Sequence, residues 1–220
     1  MATTATTRTT RTSSAKVAAA ASVLFAVAFF WTVASVDVPH KAGDAELLTW
    51  WQQSDSQLAG IVSQYCAVAA AVLFVVVMNY FATLTAGTRA TQWTAFARSM
   101  GLIFSTTLLV SAALRGVIGR MVKVDGQPLP GIEVLRYSTA LNYDLIGSIT
   151  MMALGLTILA VSVVVLRTAV LAKWFGYVGL VCAAPILISS AAMIGHFTII
   201  LALLWTLCLA AAVWRHHSTT

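Results

Sequence analysis

Arg115 and Arg120 close the stretch SAALRGVIGR at residues 111–120, and the residues before them are apolar enough to lie in hydrocarbon. A guanidinium carries a permanent charge and five N–H donors in a planar fork, so its natural partners are carboxylates and phosphates. Counted from Met100 at 1.5 Å per residue, Arg115 sits about 22 Å along a helix, near one membrane boundary rather than at the midplane. Three outcomes are open to such a charge. It can snorkel to the headgroups. It can pair with an acid, for which Asp144 is best placed and Glu133 second. Or Arg115 and Arg120, with Asn142, Tyr143 and Asp144, can form a pocket for an anionic headgroup or a small acid. An ionisable group in a membrane segment is a functional candidate by default. These five residues are the candidate ligand site.

Other chemistry finds little support. His196 follows Gly195 at a turn, and no second histidine or carboxylate lies within an apolar run, so neither haem nor a metal pair is expected. His40 falls in a loop, and His216 and His217 near the C-terminus. Cys66, Cys182 and Cys208 all lie in apolar runs with no CxxC pair, and read as small buried hydrophobes. There is no GxSxG elbow, P-loop or dinucleotide fingerprint. The reading therefore assigns no catalytic residue, no metal and no cofactor, and favours a non-enzymatic role. The net charge is +6. No basic cluster with interleaved aromatics accompanies it, so nucleic acid is not an expected partner.

Composition sets the elements that must hold these residues. Of 220 residues, 60% are hydrophobic and only 9% charged, against about 25% charged in a soluble domain. Six apolar runs, about residues 17–36, 60–84, 100–119, 145–166, 174–194 and 197–214, approach or exceed the length that crosses the bilayer core. No ten-residue alternation suggests a barrel. The expected fold is all-α, a polytopic membrane protein with a bundle of six transmembrane helices over 17–215. A Thr-rich, basic, disordered tail is expected at 1–16.

Charge orients the bundle. On one side fall Arg8, Arg11, Lys16, Arg89, Arg98, Arg167, Lys173 and Arg215, with no acid. On the other fall five basic residues and all seven acids. The positive-inside rule then makes both termini cytoplasmic. A rival reading takes the first run as a signal peptide cleaved after "ASV", before Asp37. The run is longer than a usual signal core, which favours a retained helix.

The connections carry some content. Residues 37–59 read as a short amphipathic helix with Trp50 and Trp51 at headgroup depth. Asp125-Gly126 reads as a turn, and spacing from Ile132 onward predicts a fourth helix that starts outside the membrane. Residues 85–99 read as an interfacial linker anchored by Trp93, and the short link 167–174 predicts antiparallel neighbours. Ser63, Gln64, Tyr65, Asn79 and Tyr80 read as helix–helix hydrogen-bonding groups. Pro185 should kink the fifth helix.

The segments LLTWWQQSDSQLAGIVSQY, GLIFSTTLLVSAAL and LRTAVLAKWFGYVGL give the chain a recognisable outline. It resembles a group of small six-helix bacterial, largely actinobacterial, integral membrane proteins known as a domain of unknown function. The likeness covers about residues 15–215 and rests on hydropathy and helix ends. It implies six spans and a plasma-membrane address, and transfers no catalytic residue. The functional expectation is an accessory subunit or a binder of lipid or small hydrophobic ligands. Membrane lipids, a membrane-protein partner or a second copy would be its partners. The alternative is a small secondary transporter with an outward-facing site near Arg115 and Asp144.

Overall fold

A computed structural model describes residues 3–35, 38–39 and 43–218. His40 and the cleavage position before Asp37 lie outside the described residues. The described chain is helical, with no strand among the described residues. Its elements are α1 (Thr3–Ala34), α2 (Asp44–Gln52), α3 (Ser54–Leu84), α4 (Thr91–Lys123), α5 (Ile132–Asp144), α6 (Met151–Thr168), α7 (Lys173–Ala191) and α8 (Ile199–Ser218). A π-helical segment, Leu145–Thr150, joins α5 to α6, and a 3-10 turn, Gly195–Thr198, leads into α8. Among the described residues six stretches are long and apolar enough to cross a membrane, and the fourth runs unbroken from Ile132 to Thr168.

The backbone of α1 stays helical well before its apolar run, through residues expected to form a disordered tail. Once the apolar segment has nucleated a helix, each further residue adds one hydrogen bond, so extension costs little even through threonines.

Helix α6 is the axle. Leu154, Ile158, Ala160, Val161, Val164 and Val165 are all buried, and no residue from Met151 to Leu166 is exposed. Helices α4 and α7 pack along it, while α3 packs against α1 and α4. Phe25 and Phe29 of α1 meet Phe74 of α3 and Phe104 of α4, with ring centroids 4.6–6.0 Å apart. Offset and edge-on aromatic contacts of this kind add to plain area burial.

Small residues let α3 and α4 approach closely. A Cβ at Gly116 would collide with the Gln64 side chain, and one at Gly119 with the Gln57 carbonyl oxygen. This is the small-residue packing that replaces hydrophobic drive between helices in lipid.

A second, smaller core lies beyond the bundle. Val38, Leu47, Trp51, Ile118 and Leu135 are buried together, with Trp50 half-buried beside them. Trp51 is therefore a core residue, not the headgroup anchor that its position suggested. The other face of α2 carries Asp44, Glu46 and Thr49, and Arg136 of α5 pairs with Asp44 across the surface. The turn at Asp125-Gly126 is present, with Gly126 at φ +64.

Candidate functional site

At the end of the bundle where α1 stops and α5 enters, a cavity of about 310 Å3 is lined by Arg115, Asn142, Tyr143 and His196, with Val33, Ala34, Val38 and Ile146 as its apolar wall. Three of the five residues singled out in the sequence meet there. The other two do not. Arg120 is solvent-facing, its side chain 70% exposed, with Asp125 at 3.8 Å. Asp144 is exposed and makes no ion pair among the described residues.

The proposed pairing of Arg115 with Asp144 does not occur. Arg115 is held instead by neutral groups on three other helices. Its Nε donates to Asn142 Oδ1 at 3.2 Å, and its Nη1 donates to Ser63 Oγ at 3.0 Å and to the Thr32 carbonyl oxygen. Two of these three acceptors are also reached by a hydroxyl. Ser63 Oγ donates to the same Thr32 carbonyl at 2.7 Å, and Ser111 Oγ donates to Asn142 Oδ1 at 2.5 Å. The reason for the mispairing is angular. Successive helical residues are about 100° apart, so Asn142 turns inward and Asp144 outward.

The guanidinium is thus cross-braced between α1, α3 and α5 while carried by α4. Its Nη2 amino group donates to no acceptor among the described residues. Nor does any carboxylate among the described residues line the cavity. Neutral dipoles offset part of the cost of placing a charge near hydrocarbon, but they do not neutralise it.

Tyr143 and His196 form the opposite side. The Tyr143 hydroxyl donates to the Val38 carbonyl at 3.0 Å, which fastens the chain after α1 to α5. The Tyr143 and His196 rings stand edge to face at 6.1 Å.

The backbone around this site is unusual in two places. In the π-helical segment the Met151 N–H reaches the Ile146 carbonyl five residues back, so the turn holds an extra residue. Such bulges recur at functional sites. Gly195 presses on this segment so closely that a Cβ there would collide with the Gly147 carbonyl oxygen. Met193, just before the turn, is a non-glycine residue at φ +60. A left-handed backbone at such a residue costs energy that surrounding structure must hold in place.

His196 was read from sequence as a turn residue. The available signal was its place in the link between the last two apolar runs, at the same end of the bundle as Arg115. Among the described residues no group of three or more His, Cys, Asp or Glu side chains could hold a metal ion. Comparison of the chain with family models, curated proteins and solved structures finds no match.

Proposed function

We propose that this is a membrane-embedded, non-catalytic binding protein whose cavity takes a small amphipathic anion, a carboxylate or phosphate with a short apolar tail. One observation carries the reading. A guanidinium is braced at the wall of a largely apolar cavity, with one amino group unbonded and no acid to neutralise it among the described residues. An oxyanion would complete its hydrogen bonds and its charge, and His196 and the Tyr143 ring would enclose the headgroup. The apolar wall of Val33, Ala34, Val38 and Ile146 suits a short chain. The volume stands at the lower end of small-molecule sites.

We further propose that both termini face the cytoplasm and that the membrane is the bacterial plasma membrane. The charge asymmetry of the connecting segments supports this, as does the likeness to small six-helix actinobacterial proteins.

Binding is tested by thermal unfolding of the purified protein in a neutral detergent. Octanoate and octyl phosphate should raise the midpoint in a saturable manner, since a ligand that binds only the folded form stabilises it by mass action. Octanol should not, and inorganic phosphate should act only weakly. Equal stabilisation by octanol, or an unchanged response in Arg115→Met, would overturn the proposal.

A further inference from the structure

A second polar feature lies at the other end of the bundle, on its lipid-facing side. A groove of about 460 Å3 runs between α3 and α4, lined by Asn79, Arg98 and Ser99 with Val75, Met78 and Leu102. Asn79 belongs to the apolar run of α3, five residues before its end, yet its side chain is exposed rather than turned to a neighbouring helix. Arg98 and Ser99 are exposed beside it. None of the three side chains makes a hydrogen bond or ion pair among the described residues.

Depth decides what these groups face. At 1.5 Å per residue, Asn79 lies about 8 Å inside the end of α3, and Arg98 about 10 Å inside the start of α4. That is the boundary between headgroups and acyl chains. Away from this end the groove gives onto exposed apolar side chains, Val72 and Val68 of α3 and Leu102 of α4. A polar head of three unpaired groups with an apolar track leading away has the shape of a phospholipid.

Charge selects which phospholipid. Lys16, Arg89, Arg98, Arg167, Lys173 and Arg215 all lie at this end and no acid does. Basic pockets between transmembrane helices bind anionic headgroups. We propose that this groove holds one anionic phospholipid from the leaflet on the side of the termini. Arg98 binds the phosphate, Asn79 and Ser99 bind the headgroup or ester oxygens, and an acyl chain follows Leu102 and Val72. The inference is independent of the cavity around Arg115.

The test is native mass spectrometry. The full chain is reconstituted in nanodiscs of equal phosphatidylglycerol and phosphatidylcholine, then released in mild detergent. One phosphatidylglycerol per chain should remain bound, in clear excess over phosphatidylcholine. Arg98→Gln should lower that retention about fivefold, the effect of one basic residue at an anionic surface. Arg98→Lys should keep most of it, and Asn79→Leu should reduce it partly. Arg89→Gln, exposed at the same end but outside the groove, should leave it unchanged. The proposal fails if the wild-type chain shows no preference for the anionic lipid. It fails too if Arg89→Gln matches Arg98→Gln, because bulk surface charge would then suffice. A lipid-free dimer as the native species would show instead that a second copy fills the groove.

Discussion

Arg115 is paired in a way that leaves its neighbours intact when it is removed. The Thr32 carbonyl would still accept from Ser63, and Asn142 Oδ1 from Ser111. Arg115→Met, which keeps much of the stem and deletes the charge, should therefore cost little stability or add to it, in the manner of buried charges replaced by apolar groups. Asn142→Leu should behave in the opposite way. It leaves both the Arg115 Nε and the Ser111 hydroxyl without their acceptor, at about 2–4 kcal/mol. Thermal unfolding in detergent separates the two, and a large loss in Arg115→Met would make the residue a structural brace. The sequence pointed to Arg115 because a charge so near hydrocarbon is rare. It grouped Asn142 with Arg115 but could not give the other partners, because a backbone carbonyl and a serine leave no signature in composition. Opposite charge drew attention to Asp144, one helical step beyond the inward-facing residues.

The element that shapes the site is the join of α5 to α6. A continuous apolar pattern announces a long fourth helix, and the structure bears that out from Ile132 to Thr168. Hydropathy cannot report the π-helical turn inside it, because one extra residue leaves the composition unchanged. Against that turn lies Gly195, which carries His196 into the cavity. Gly195→Ala should push the 3-10 turn away from Gly147 and cost about 1–3 kcal/mol, as overpacking does elsewhere. If His196 helps to enclose the ligand, the same variant should lose the octyl phosphate response even at temperatures where it stays folded. A variant that destabilises but responds normally would remove His196 from the site. The amphipathic α2 was also legible as an element. Its buried face was not, since whether a tryptophan meets headgroups or protein depends on α5, a distant part of the chain.

Across the whole molecule, the six crossings follow from hydropathy alone, and the sidedness prediction follows from charge. A cysteine placed at Asp44 or Gly126 should react with impermeant reagents from outside intact cells, and one at Thr88 should not. The reverse pattern would invert the orientation while keeping the six crossings. The two cores have a further consequence. The bundle core is enclosed by lipid, which is as apolar as its own side chains. The small core of Val38, Leu47, Trp51, Ile118 and Leu135 lies at the bundle's end, built from the link after α1, α2, α5 and the end of α4. It is held by water-driven burial and by one exposed ion pair, which contributes about 1 kcal/mol or less. Urea weakens the first of these and leaves a bilayer-supported bundle largely untouched. The protein should then melt in two stages. Amide hydrogens of α2 and the first half of α5 should exchange at urea concentrations where those of α6 remain protected. With its floor fastened to that outer unit through Tyr143 and Val38, the cavity would open to solvent in the first stage, long before the membrane helices separate.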